Sequence, residues 1–127
     1  VEGSRIGSQE TAVSSPFQYG SAPVEVIETT WTILKGPRRL DAVTAPEMTE
    51  TCAALLDDNP HVVVDLSETV LLASAGLAAL AQLSRIAIER KGELRVANCS
   101  KDVMRVIQMV RFDKVLALYS DVPTAVA

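Results

Sequence analysis

The chain has 127 residues, 48% of them hydrophobic and 22% charged. That balance suits one packed globular domain and is far too apolar for a disordered chain. Twelve Lys and Arg against sixteen Asp and Glu leave a net charge of −4, which argues against direct nucleic-acid binding and against adsorption to an anionic membrane, since both need a basic excess.

In chain order, residues 1–22 collect Ser, Gly, Gln and Thr without apolar periodicity and read as a flexible tail, leaving 23–127 as the folded domain. Residues 24–27 and 31–34 are β-branched or aromatic runs, the pattern of an opening hairpin. Thr44 and Glu47 have capping-box spacing, with Pro46 in the first turn, and Met48, Cys52, Leu55 and Leu56 follow at helical spacing. His61-Val62-Val63-Val64-Asp65 is nearly continuously apolar, as in a covered central strand. A helix is predicted from 74 to about 90, ended by Gly92. A strand at 94–97 follows, then a helix from the Ser100 cap to about 111, a short strand at 115–119 and a terminal helix from 121. Strands alternating with helices after a hairpin predict an α/β fold, a mixed sheet of four or five strands with helices mainly on one face.

Several chemistries have little support. Cys52 and Cys99 lie far apart and form neither a zinc spacing nor a disulfide framework, so no metal is expected and a reducing cytoplasm fits best. The stretch 70–81 is too short to span a bilayer and is broken by Ser74 and Gly76, and no signal peptide is visible. His61 is the single histidine, which removes most imidazole enzymes. No nucleotide-binding or hydrolase motif is present, so neither a cofactor nor enzymatic activity is expected.

Two features invite a functional reading. Ser74 stands where a strand leaves for a helix, so it reads as an N-cap residue or as a phosphoacceptor. A phosphate there would add about −1.5 to −2 charges at a helix N-terminus, which tolerates them. The helix after it is apolar over two arcs. Leu77, Leu80, Ala81, Ser84, Ala87 and Ile88 form a core side, while Ala79, Leu83 and Ile86 form a second stripe that reads as either wider burial or a partner surface.

The order of motifs resembles the STAS domain, in particular the bacterial anti-sigma factor antagonists. The features that carry it are Leu40-Asp41, Val62-Val63-Val64-Asp65-Leu66-Ser67, Ala73-Ser74-Ala75-Gly76-Leu77, Gly92-Glu93-Leu94-Arg95-Val96-Ala97-Asn98, and the ending from Val106 to Leu116. The resemblance implies a regulatory protein that binds a serine-kinase anti-sigma factor and so releases a sigma factor, with Ser74 as the phosphorylated serine. Ala73, Ala75, Gly76, Ala79, Leu83, Ile86 and Asp41 are the expected partner contacts, and a homodimer is left open. The family's switch motif is Asp-Ser-Ser-Gly; here Ala73 replaces the Asp, Ala75 the second Ser, and Arg111 a frequent Gly. Two alternatives stand beside it: a STAS accessory or scaffold domain of a transporter or signalling complex that is never phosphorylated, and a nucleotide- or lipid-binding domain with an anion site at the helix start.

Overall fold

The computed structural model describes residues 18–19, 22–27 and 31–127, with side chains from residue 31 onward. Residues 1–17 of the expected tail lie outside the described residues. Its end departs from a tail: β1 (Gln18–Tyr19) pairs antiparallel with β2 (Ala22–Ile27). β2 pairs antiparallel with β3 (Trp31–Lys35), Val24 opposite Leu34 and Ile27 opposite Trp31, which is the expected hairpin. Then come β4 (Arg39–Leu40), α1 (Ala45–Asp58), β5 (His61–Asp65), β6 (Leu71–Leu72), α2 (Ser74–Glu89), β7 (Glu93–Ala97) and α3 (Lys101–Met109). A 3-10 turn (Phe112–Lys114), β8 (Ala117–Tyr119) and α4 (Val122–Val126) complete the chain.

The main sheet has the order β1-β2-β3-β5-β7-β8, with β3, β5, β7 and β8 all parallel. β4 and β6 pair parallel in a separate two-stranded ribbon. The architecture is the expected mixed α/β layer; the two-residue β1 brings the main sheet to six strands instead of four or five.

Alternation along β5 explains its unbroken apolar run. Val62 and Val64 join the large core with Leu34, Leu94, Val96 and the apolar sides of α1, α2 and α3. Val63 points the other way, into a smaller core with Trp31, Ile33, Ala97 and Ala125 of α4. Three helices thus cover one face and α4 the other, and a strand buried on both faces has no polar alternation to show. Arg95 ties α4 down: its guanidinium lies 4.3 Å from the Trp31 ring centroid and donates to the Ala125 carbonyl at 2.5 Å.

The second apolar stripe of α2 is not a free surface. Leu83 is 0% exposed and Ala79 6%, and Ile86 is half-buried against the same core. The reason is that α2 has two neighbours, β7 on one side and α1 on the other, so a wide apolar arc is needed simply to fill both seams. Ile88, expected inside, is 63% exposed.

Helix ends differ from expectation in instructive ways. Ser100 caps α3 as predicted, its Oγ accepting from the Val103 N–H at 3.1 Å. That helix stops at Met109 because Arg111 adopts a left-handed conformation, φ 63°. At the end of α2 the left-handed residue is Lys91, φ 64°, while Gly92 serves a different need: a Cβ there would collide with the Pro60 carbonyl.

Candidate partner-binding site

The ribbon of β4 and β6 brings two loops side by side. The Val70 N–H donates to the Arg38 carbonyl at 2.8 Å and the Ala73 N–H to the Leu40 carbonyl at 2.9 Å. Thr69 Oγ1 adds a bond to the Pro37 carbonyl at 2.6 Å. The chain is therefore firmly held on its way into α2.

Ala73 is the N-cap of α2, with extended backbone at φ −103° and ψ 175°. Its carbonyl accepts from the N–H groups of Gly76 and Leu77, both at 3.0 Å. Ser74 is the first helical residue, exposed to solvent, and no side chain caps the helix. The expected Ser74 cap is thus corrected: capping needs the extended conformation of the N-cap position, and Ser74 sits one residue beyond it. Gly76 is buried in the first turn, where an added Cβ would lie 2.6 Å from Leu40 Cγ and 2.7 Å from the Leu40 carbonyl oxygen. Only glycine lets α2 sit this close to the ribbon.

Facing this turn is the loop before α1. The Asp41 carboxylate accepts from the N–H groups of Val43 at 3.0 Å and Thr44 at 3.2 Å, and Arg39 Nε lies 3.5 Å from its second oxygen. The Thr44 amide, foremost, together with the Val43 amide and Arg39, outweighs the effect of burial and holds the Asp41 carboxyl below its ordinary range. Thr44 makes no capping bond; its hydroxyl donates to the Arg39 carbonyl at 2.6 Å and accepts from the Asp41 N–H at 3.1 Å. The predicted capping box is replaced by this tight turn, which presents Val43 to solvent, 85% exposed.

Between the two helix starts runs an open groove of about 670 Å³. Ala42, Ala45 and Pro46 line one wall and Ala75, Ala78 and Ala79 the other, with Thr49, Glu50 and Gln82 further along. Ala75, Ala78, Ala79 and Gln82 recur at helical spacing, so the surface stripe of α2 is turned about one helical step from the stripe of Ala79, Leu83 and Ile86. Ala75 and Ala79 among the expected contacts line the groove, Ser74 precedes it, and Leu83 belongs to the core. Ala42, Ala45, Pro46, Ala78 and Gln82 were not singled out from the sequence, because small residues on a helix read equally well as packing positions.

Beneath the loop that leads to Ser74 lies a polar knot at the ends of β3, β5 and β7. Asp65 Oδ1 accepts from the Ser67 N–H and from Asn98 Nδ2, both at 2.9 Å, and Lys35 Nζ stands 3.9 Å from Oδ2. Burial alone would raise the Asp65 pKa, but the bonds from Asn98 and Ser67 and the Lys35 charge prevail and lower it. Burial pushes the Cys52 thiol up to about 12 and that of Cys99 to about 11, so neither is a ready nucleophile. Among the described residues no cluster of three or more His, Cys, Asp or Glu could hold a metal ion, and no helix is long and apolar enough to cross a membrane.

A mixed sheet with a two-stranded ribbon that seats a glycine-bearing helix start defines the class of fold, and comparison with known proteins gives it a family. The STAS domain matches residues 21–125, and the chain belongs to that family. An anti-sigma factor antagonist from Mycobacterium paratuberculosis is 27% identical, with a TM-score of 0.74 over 84% of this chain and 90% of that one. An anti-sigma-factor antagonist (STAS) domain protein from Planctomyces limnophilus is 21% identical, with a TM-score of 0.72 over 82% and 93%. The murine anion transporter Solute Carrier 26 family member A9 is 17% identical, with a TM-score of 0.67; the match takes in 87% of this chain but only 22% of the transporter. No curated protein matches the sequence.

Proposed function

We propose that this STAS domain is a regulatory binding protein of the anti-sigma factor antagonist type, and that Ser74 is its phosphorylation switch. In this reading the unmodified protein binds a serine-kinase anti-sigma factor in the cytoplasm and frees a sigma factor. The protein is the kinase's substrate and not itself an enzyme. The observation that carries the proposal is the placement of Ser74: exposed, in the first turn of α2, without a capping role, and next to the groove between α1 and α2. A hydroxyl with no structural duty is free to be modified. A phosphate there adds about −1.5 to −2 charges to a surface that already carries Glu50, while the α2 dipole keeps the helix intact. The partner's contact would be desolvated against that charge, which is costly. Ala75, Ala78 and Gln82, with Val43 at the tip of the facing loop, are the contacts we assign to the unmodified complex.

The test is incubation with the serine-kinase anti-sigma factors of the source organism and ATP, with phosphopeptide mass spectrometry and titration of variants. A phosphate on Ser74, full binding by Ser74→Ala and weakened binding by Ser74→Glu are expected. No phosphate, with equal affinity for all variants, would refute the switch. One observation favours a second reading, a scaffold or accessory STAS domain that is never phosphorylated: Ala73 stands where the family's switch motif has an aspartate. Variant-insensitive binding to a complex lacking any kinase would establish it.

A further inference from the structure

We propose that the surface made by the end of α3 and the 3-10 turn after it, residues 109–115, docks an acidic, apolar segment of a partner protein, independently of the Ser74 switch. None of these residues lines the groove between α1 and α2. Of the six large apolar side chains exposed among the described residues, three fall in this stretch: Met109 at 75%, Val110 at 47% and Val115 at 53%. Scattered exposed apolar residues are ordinary, but three within seven consecutive residues, from the end of α3 to the end of the 3-10 turn, are a concentration that suits an interaction site.

The turn is rigid rather than loose. Val103 and Ile107 before it and Leu116 after it are buried in the large core, and Phe112 packs against the same core. Inside the turn the Val115 and Leu116 N–H groups donate to the Phe112 carbonyl at 2.9 and 2.8 Å, and the Lys114 N–H to the Arg111 carbonyl at 3.2 Å. The apolar side chains are therefore displayed on a preformed frame, which lowers the ordering cost of binding.

Charge decides the kind of partner. Arg111 and Lys114 are exposed and make no ion pair among the described residues; Asp113 between them makes none either, so the turn carries a net +1 on a chain of net −4. Arg111 is also held at φ 63°, where glycine is unstrained and an arginine is not. The same backbone ends α2 at Lys91, so the conformation sets only where the Arg111 side chain stands: exposed to solvent at the start of the 3-10 turn. Its guanidinium forks onto carboxylates, and the neighbouring Met109 side chain adapts to varied apolar partners. The net charge of −4 over the whole chain opposes an extended anionic lipid surface, whereas a short acidic segment senses the turn alone within a Debye length.

The experiment selects binders to the full chain from a random linear peptide library displayed on phage, then measures them against Met109→Ser combined with Val115→Ser, against Arg111→Gly and against Lys114→Glu. Enriched peptides interleaving Asp or Glu with large apolar residues, bound about tenfold more weakly by each variant and weakened by added salt, are expected. Arg111→Gly should melt at the same or a higher temperature, since glycine suits this backbone. Peptides without acidic bias, or binding equal in all variants, would overturn the proposal. So would a drop in melting temperature for Arg111→Gly, or variant-sensitive sedimentation with phosphatidylglycerol vesicles in place of peptide binding.

Discussion

Gly76 and Leu40 stand so close that no side chain fits between them: a Cβ on Gly76 would lie 2.6 Å from Leu40 Cγ and 2.7 Å from the Leu40 carbonyl oxygen. In an exposed helix, glycine to alanine would gain up to about 1 kcal/mol from helix propensity. Here overpacking against backbone dominates, and Gly76→Ala should destabilise the domain by about 1–3 kcal/mol. Urea denaturation of the variant measures this; unchanged or increased stability would show that α2 can lift off the ribbon at no cost.

Leu83 and Ala78 lie on the same helix with opposite fates, one fully buried and the other exposed at the groove. Leu83→Ala should cost about 2–5 kcal/mol, and Leu83→Glu should abolish the native circular dichroism spectrum. Ala78→Arg should stay within about 0.5 kcal/mol of the parent protein and, on the function proposed above, lose the anti-sigma factor binding assigned to the groove. A folded Leu83→Glu variant would return Leu83 to the surface.

Two serines at helix starts separate a true cap from a free hydroxyl. Ser100→Ala removes the bond from the Val103 N–H and should cost about 1 kcal/mol. Ser74→Ala removes no capping bond and should change stability by less than about 0.5 kcal/mol. Parallel thermal melts distinguish them, and an equal loss in both would mean that Ser74 caps α2 after all.

Asp65 makes stability depend on acid. Its carboxyl lies below the ordinary value of 3.8 in the folded protein, because the bonds from Asn98 and Ser67 and the Lys35 charge outweigh burial. A depressed folded value means stability that is fully present above pH 3.8 and lost as pH falls through the lower folded value. Asp65→Asn should be less stable near neutrality, with the gap to the parent closing below pH 3.8. The slope that remains belongs in part to Asp41 and Asp121, which are also lowered. A gap constant with pH would show that Asp65 contributes through shape alone.

Periodicity and punctuation in the sequence determined the element order: the hairpin, the covered strand at 61–65, the Ser100 cap and the alternation of strands with helices. These are local properties, readable because each side chain's alternation or capping chemistry acts within a few residues. The place of Ser74 at the start of α2 was legible for the same reason; its exposure and its lack of a capping bond were not. Only the tertiary structure decided which arc of α2 meets water. Leu83 reads identically as core or interface until the elements around α2 are in place, because burial depends on what packs nearby and not on the residue itself. The groove of alanines is likewise a product of packing, in which helices distant in sequence come side by side and leave particular side chains in solvent. The turn closed by Asp41 and Thr44 is local, but there one short-range bonding pattern prevails over the capping bond that the same residues spell.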